Sequence, residues 1–313
     1  MGAPPSSSPF LPSSFVGLLA VSLLVLTPLA RPASDESFYK LCSNSRGNYT
    51  ANSTYQVNLG ALLSSLATGG TENGGFISSS VGETPLDTVY GLVLCRGDVG
   101  TNSCRHCLDT ATDDVRALCP YRKEAVIWYD SCLLRYSDRW SFPQVSSMID
   151  AAMWNVQNIS AEELPLFNEQ LGKMMTGLAS FAAYNSSGRL FATGEAEFAE
   201  DIPKIYGLVQ CTRDQAVESC QRCLAENVRW IREFFYGKRG ARTLGSYCFL
   251  RYEVYPFYND SAMLRIPLPK AESPSPTASR PVVIPSPSPS YPTSKGAAEF
   301  SLIIPVEDSM GLL

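Results

Sequence analysis

The chain has 313 residues, enough for two domains of ordinary size, and 45% of them are hydrophobic, so packed cores can form. Its net charge is −5 and its Lys and Arg residues are scattered, which argues against the basic surface that nucleic-acid binding requires. The composition favours a globular protein that does not bind nucleic acid.

The first segment of the chain has the pattern of a secretory signal. A predominantly apolar run covers residues 15–30, and small residues follow it as far as Ser34. The run is shorter than the roughly 20 residues of a membrane-spanning helix. It predicts a signal peptide over residues 1–33. We therefore expect a secreted protein of the extracellular space (the apoplast in a plant).

Helical and strand patterns alternate in the first half of the folded region. Apolar residues with helical spacing predict one helix near residues 59–66 and a second after a pair of cysteines, at residues 108–118. Stretches rich in Val, Ile, Trp and Tyr predict strands at 76–80, 90–95 and 125–136. Strands around two helices indicate an α+β fold, with the helices on one face of an antiparallel sheet.

The second half of the folded region repeats the first. The segment Val89–Cys95 matches Ile205–Cys211, and each is followed by the spacing Cys-x8-Cys-x2-Cys. Downstream, Cys132-Leu-Leu-Arg-Tyr136 matches Cys248-Phe-Leu-Arg-Tyr252. The repeat therefore predicts tandem domains at 35–142 and 150–262. Helical spacing recurs in the second copy at residues 171–178 and 224–234.

A Pro- and Ser-rich tail follows, over residues 263–313. This composition predicts a disordered segment without a core. Its last apolar stretch, residues 300–306, is too short and too broken to span a membrane, so no membrane span is expected in this chain.

The even number and ordered spacing of the cysteines predict disulfide bonds in an oxidising compartment. The ten are Cys42, Cys95, Cys104, Cys107, Cys119, Cys132, Cys211, Cys220, Cys223 and Cys248. The second copy lacks counterparts of Cys42 and Cys119 and has Trp154 and Phe235 near those places. We expect a Cys42–Cys119 bond, worth about 4 kcal/mol of stability, and a packed aromatic pair in the second copy. The other four cysteines of each copy leave three connectivities.

The Cys104-x-x-Cys107 spacing has two rival interpretations, a zinc site and a redox pair. Zinc needs four ligands, and His106 is the only histidine of the chain. A redox pair belongs to a thioredoxin-like context, which the pattern does not predict here. Structural disulfides are the favoured interpretation, and no metal or cofactor is expected.

Five Asn-x-Ser/Thr triplets follow the signal segment and predict a glycosylated surface. They begin at Asn48, Asn52, Asn158, Asn185 and Asn259.

The twofold Cys-x8-Cys-x2-Cys motif, with Tyr-Gly before its first Cys and Arg-Tyr after the last, resembles the plant ginkbilobin-homologous family of cysteine-rich, stress-antifungal domains. The resemblance implies five-stranded antiparallel sheets with two helices on one face. It also implies the bonds Cys95–Cys104, Cys107–Cys132, Cys211–Cys220 and Cys223–Cys248. Family settings are secreted antifungal lectins, plasmodesmal membrane proteins and receptor-like kinase ectodomains. This chain is expected to be a cysteine-rich repeat secretory protein or a truncated ectodomain.

The resemblance further implies a mannose site built from an Asn, an Arg and a Glu. In the second copy these places hold Asn155, Arg242 and Glu253, whose groups can bond vicinal sugar hydroxyls. The first copy has Ser43, Val126 and Ser137 instead, so its site is expected to be lost. The alternative is that Arg242 and Glu253 form a structural ion pair.

Three functional hypotheses follow, and none of them is enzymatic. Catalysis is not expected, because bridged cysteines are not thiolate nucleophiles and the adjacent acidic pairs point apart on a helix. The first hypothesis is a defence protein that binds mannose-type glycans. The second is an ectodomain-like module that binds an extracellular protein. Redox sensing through labile disulfides is the third.

Overall fold

The structure is a computed structural model that describes residues 39–140, 149–259 and 262–269, together with Gly2, Ser37 and the backbone of Phe300–Pro305. The predicted signal peptide and most of the Pro/Ser-rich tail lie outside these residues. Both repeats belong to one compact unit. Within the described ranges, no helix is both long and apolar enough to cross a bilayer.

Each repeat contains five strands and two helices in the same order. The first repeat consists of β1 (Tyr39–Cys42), α1 (Thr54–Glu72), β2 (Phe76–Val81), β3 (Val89–Cys95), α2 (Thr101–Leu118), β4 (Ala125–Trp128) and β5 (Cys132–Ser137). The second consists of β6 (Ala151–Asn155), α3 (Leu164–Tyr184), β7 (Phe191–Glu197), β8 (Lys204–Cys211), α4 (Val217–Phe234), β9 (Ala241–Leu244) and β10 (Cys248–Glu253). Two further strands follow, β11 (Leu264–Ile266) and β12 (Phe300–Pro305).

The strand order confirms the predicted fold class. The first sheet runs β1-β4-β5-β3-β2, and all its pairings are antiparallel. The second sheet has the equivalent order β6-β9-β10-β8-β7 at its centre. In the first repeat the apolar face of α1, with Leu59, Leu62 and Leu66, shares a core with Val93 and Leu134 of the sheet. The helices therefore cover one face of each sheet, as expected for an α+β sandwich.

The second sheet is wider than the prediction at both edges. Strand β11 pairs in parallel with β7, and the backbone of β12 pairs antiparallel with β6. The expectation of disorder over residues 263–313 is thus wrong for Leu264–Ile266 and for the backbone of Phe300–Pro305. The physical reason is hydrophobic packing, because the Leu264 and Ile266 side chains contact the core of the second repeat. The predicted strand 125–136 is also two strands, since Tyr129 N donates to Cys132 O (2.8 Å) across a tight turn.

The disulfides fasten the second helix of each repeat to the two central strands. In the first repeat Cys104 and Cys107, one helical turn apart on α2, are bonded to Cys95 and Cys132. The bonds Cys211–Cys220 and Cys223–Cys248 do the same for α4 in the second repeat. Because Cys104 and Cys107 are bonded to other cysteines, they form neither a zinc site nor a redox pair with each other.

The remaining bridge, Cys42–Cys119, is replaced in the second repeat by an aromatic contact. Cys42 lies opposite Ala125, as Trp154 lies opposite the equivalent Ala241. Cys119 and Phe235 each cap the C-terminus of the second helix. The Trp154 and Phe235 rings are 5.4 Å apart between centroids. The loss of two cysteines together therefore marks one bridge, whose space is filled by two rings.

Phe234 ends the apolar helical spacing predicted at 224–234, which would place it on the buried face of α4, and this expectation is wrong. Its side chain is 54% exposed, whereas Phe235 is 2% exposed. The helix ends at Phe234, so the next residue turns inward towards Trp154 instead.

The adjacent Phe234 and Phe235 provide a matched test of the aromatic replacement. We expect Phe235→Ala to lower the free energy of unfolding by about 3–5 kcal/mol, because it leaves a cavity beside Trp154. Phe234→Ala should lower it by about 1 kcal/mol or less. Denaturant unfolding followed by tryptophan fluorescence measures both. Equal losses for the two variants would contradict the packing role of Phe235.

Candidate functional site

The face of each sheet that lies away from its helices contributes to one shared apolar cluster. Leu94, Val126, Trp128 and Leu133 of the first repeat are buried there with Ala151 and Leu244 of the second, beside the partly buried Tyr39, Leu41, Phe76 and Phe249. The Trp128 indole N–H donates to the Gly245 carbonyl oxygen (3.4 Å). The two repeats therefore pack sheet against sheet.

Two equivalent arginines cross this interface in opposite directions. Arg135 and Arg251 each lie three residues after the last cysteine of their repeat. Arg135 donates to the Ser246 carbonyl oxygen and to the Asp214 carboxylate of the second repeat. Arg251 donates to Asp130 of the first repeat, 3.2 Å away. Asp130 and Ser246 both lie two residues before the last cysteine, so the contacts are reciprocal.

Asp130 is the point at which three guanidinium groups converge. Its carboxylate accepts hydrogen bonds from Arg96 Nη1 (2.9 Å) and Arg251 Nη1 (3.2 Å), and Arg242 Nη1 lies 3.6 Å away. Arg96 also donates twice to Asp98, at 2.6 and 2.9 Å. We name the interface ion cluster as Arg96, Asp98, Asp130, Arg242, Arg251 and Glu253. Its three formal positive charges equal its three negative charges.

The segment after β10 completes the cluster from the side of the second repeat. The Phe257 ring centroid lies 4.2 Å from the Arg251 guanidinium carbon. The Phe257 carbonyl oxygen accepts from Arg96 Nη2 (3.4 Å), and Asn259 N donates to Asp98 Oδ2 (3.1 Å). This segment thus ties the second repeat to the first.

The three predicted sugar-binding residues lie on one face of neighbouring strands, but they are buried. The Asn155, Arg242 and Glu253 side chains lie on the outer face of β6, β9 and β10, as the register Met153↔Arg242↔Arg251 shows. They are 3%, 6% and 0% exposed. Asn155 Oδ1 accepts from Gln157 N (2.9 Å), and Glu253 Oε1 accepts from Arg251 Nε (3.0 Å).

Glycine at position 240 is required by the burial of Glu253. A Cβ atom at Gly240 would lie 1.9 Å from Glu253 Oε2, so any side chain there would displace the carboxylate. The Gly240 carbonyl oxygen accepts from Asn155 N (2.8 Å), which links β9 to the end of β6. The conformation that holds the three residues together is therefore built around the carboxylate.

The cavity that Arg242 lines is too small for a sugar. A cavity of about 40 Å³ lies between the repeats, lined by Arg96, Asp130, Arg242, Arg251 and Phe257 among others. Such a volume admits a few water molecules at most. Pockets that bind small molecules usually measure about 300–1,000 Å³. The alternative of a structural ionic role therefore fits the geometry better than an open mannose site.

Burial perturbs the titration of the residues in this cluster. Desolvation raises the pKa of Glu253, although Arg251 and Arg242 oppose the shift. Desolvation and the positive charge of Arg251 lower the pKa of Arg242 to about 10. Charges removed from water in this way are costly unless each has an opposite charge nearby. Asp130 supplies that charge to three arginines.

The remaining predicted residues lie away from the cluster or have other roles. In the first repeat Val126 is buried in the interface and Ser137 Oγ shares a hydrogen bond with Glu124 (2.9 Å). His106 is exposed on α2. Of the glycosylation triplets, Asn48, Asn52, Asn158 and Asn259 are exposed and Asn185 is half-buried; their use stays a prediction. No group of ligands that could hold a metal occurs in the part of the chain that the structure describes.

Comparison with known proteins finds relatives along most of the chain. The profile of the family described as salt stress response/antifungal matches residues 41–139 and 155–255, inside the two predicted domain ranges. Cysteine-rich repeat secretory protein 38 of Arabidopsis thaliana is 37% identical over 77% of this chain and 94% of its own length. The antimicrobial ginkbilobin-2-like protein of Castanea crenata is 38% identical over 76% and 96%.

Receptor relatives and solved structures give the same picture of the fold. Cysteine-rich receptor-like protein kinase 10 of rice is 36% identical over 80% of this chain, which spans only 39% of the kinase. The tandem DUF26 ectodomain of the A. thaliana receptor-like protein PDLP5 is 26% identical, with a TM-score of 0.57 over 70% of this chain and 98% of the ectodomain. The PDLP8 ectodomain has a TM-score of 0.60 at 23% identity and 70% coverage of this chain (98% of its own).

The interface ion cluster predicts that loss of the Asp130 carboxylate lowers the stability of the protein. Asp130→Asn should lower the free energy of unfolding by about 2 kcal/mol, because three guanidinium groups lose their shared anion, although partial exposure of Asp130 moderates the loss. Asp113→Asn, on the exposed side of α2, should change it by about 0.5 kcal/mol or less. Denaturant titration of both variants tests this. Indistinguishable variants would show that Asp130 does not hold the repeats together.

Proposed function

The chain belongs to the salt stress response/antifungal (DUF26) family, and from that premise we propose that it acts outside the plant cell as a non-enzymatic recognition protein in defence or stress signalling. Its relatives are secretory cysteine-rich proteins, an antimicrobial protein and the ectodomains of receptors. Ten cysteines in five bonds suit an oxidising compartment.

The observation that carries this proposal is that the two repeats pack together through their sheet faces into a single unit. The apolar cluster and the interface ion cluster occupy the sheet faces, which leaves the helical faces of both repeats available to partners. This arrangement favours an extracellular protein as partner, in the manner of an ectodomain module. It leaves the chain free to act as a secretory protein or as the extracellular part of a longer receptor.

A mannose-type glycan is the second candidate ligand. It is favoured by the position of Asn155, Arg242 and Glu253 on one face of neighbouring strands. A sugar would reach them only if the repeats separated, because the first repeat covers Arg242 through Asp130. We therefore rank this ligand behind a protein partner.

The proposal predicts a secreted, glycosylated and fully oxidised protein. When plant cells express the chain from Met1, we expect it in the medium, with a mass that falls on treatment with an N-glycosidase. Without prior reduction a thiol reagent should label none of the ten cysteines. The variant with all five acceptor asparagines changed to Gln should not shift with the glycosidase. A cytosolic protein with reactive thiols would contradict the proposal.

The defence role is tested in whole plants that carry the gene. Silencing the gene should enlarge fungal lesions, and re-expression of the chain should restore their size. Re-expression without residues 1–33 is the matched control and should not restore it, because the protein would stay inside the cell. Unchanged lesions on silencing would contradict a role in antifungal defence.

A further inference from the structure

A solvent-open groove lies on the helical side of the second repeat, far in the fold from the sheet faces that form the interface. It runs between the N-terminal half of α3 and the end of α4 and has a volume of about 610 Å³. Its lining is polar and charged, with one aromatic ring: Asn168, Glu169, Gly172, Lys173, Thr176, Arg232 and Tyr236. The volume falls within the range of small-molecule sites.

The Arg232 side chain is exposed, and its guanidinium lies against α3 at position 172, where a glycine leaves room for it. A Cβ atom there would be 2.5 Å from Arg232 Nη2 and 3.2 Å from both Cζ and Nε. Among the residues that the structure describes, no carboxylate lies within 4.0 Å of this guanidinium. Lys173, by contrast, is paired with Glu169 at 2.6 Å. The groove therefore has one positive charge in excess.

The first repeat provides an internal comparison. Gly60 and Arg116 occupy the positions of Gly172 and Arg232, but a Cβ at Gly60 would be 4.0 Å from Arg116 Nη1, so the contact is looser. Both arginines lie in the last turn of a helix, where a positive charge favours the helix dipole. That role is common to both repeats and does not explain the groove.

Three other groups of the groove occur in the second repeat alone, whereas the amide and hydroxyl of Asn168 and Thr176 have the counterparts Gln56 and Ser64 in the first. The positions of Glu169, Lys173 and Tyr236 are held in the first repeat by Val57, Ala61 and Pro120. Around the shared Gly–Arg pair, the second repeat therefore has a carboxylate, an amine and a ring that the first repeat lacks. The Tyr236 side chain is 58% exposed, so its ring is accessible to a ligand.

We propose that this groove binds an acidic sugar, that is, an oligosaccharide containing uronate. The Arg232 guanidinium can donate two parallel hydrogen bonds to a carboxylate. Tyr236 offers an apolar ring with a polar tip to the face of a sugar. Asn168, Thr176 and Glu169 supply donors and acceptors for hydroxyls. This site is separate from Asn155, Arg242 and Glu253, and the inference does not rest on the mannose hypothesis.

Calorimetric titration of the purified, full-length secreted protein tests the proposal. The probes are trigalacturonate, its fully methyl-esterified form and mannotriose. The ester keeps the size and the ring faces but removes the charge, so we expect heat with the acid alone. The binding should weaken as salt is raised from 50 to 500 mM, because the ion pair between Arg232 and the uronate carboxylate would be solvent-exposed. Absence of binding, or equal binding of acid and ester, would overturn the proposal.

Matched variants locate the site. Arg232→Gln should weaken trigalacturonate binding about tenfold or more, and Gly172→Ala should also weaken it by displacing the guanidinium. Arg116→Gln and Gly60→Ala are the equivalent changes in the first repeat and should leave the affinity unchanged. Thermal unfolding establishes whether each variant is folded. If Gly172→Ala does not fold, the result for Arg232→Gln alone decides the test. Equal losses for Arg116→Gln and Arg232→Gln would overturn the site. These failures would leave secretion and the defence phenotype untouched.

Discussion

The structure depends on a carboxylate of the first repeat that neutralises arginines of both. Asp130 forms salt bridges with Arg96 of its own repeat and with Arg251 and Arg242 of the second. Three guanidinium groups withdrawn from water need such an anion, and the packing of sheet on sheet brings it within reach of Arg242 and Arg251. The same packing buries Arg242 and Glu253. The contact that unites the repeats therefore also decides what the second repeat can bind.

Within each repeat, the core is closed by different chemistry at one equivalent place. The first repeat uses the Cys42–Cys119 bond, which closes a loop of 77 residues and constrains the unfolded chain. The second uses the contact of Trp154 with Phe235, which stabilises only the folded chain through buried ring area. The two bridges that hold the second helix have the same spacing in both repeats, 9 and 25 residues.

The sequence predicted what is local or duplicated and missed what depends on the contact between repeats. The helix spacing, the cysteine motif and the joint loss of Cys42 and Cys119 were sufficient for the fold and the aromatic pair. Asp130 was missed because a lone aspartate in a turn resembles a solvated one. A signal was nevertheless present: all four residues of β4, Ala-Val-Ile-Trp, are apolar, and a strand apolar on both faces requires cover on both. Strand β11 was hidden by its Pro-rich surroundings.

Titration of mannose oligomers into the intact chain tests the central claim most directly. The claim is that Arg242 and Glu253 act as interface ions, so we predict no heat of binding with the folded wild type. The Arg242→Ala, Glu253→Ala variant should instead lose stability. Binding by the wild type that disappears in this variant would contradict the account, because it would require the repeats to open and expose the three side chains to a sugar.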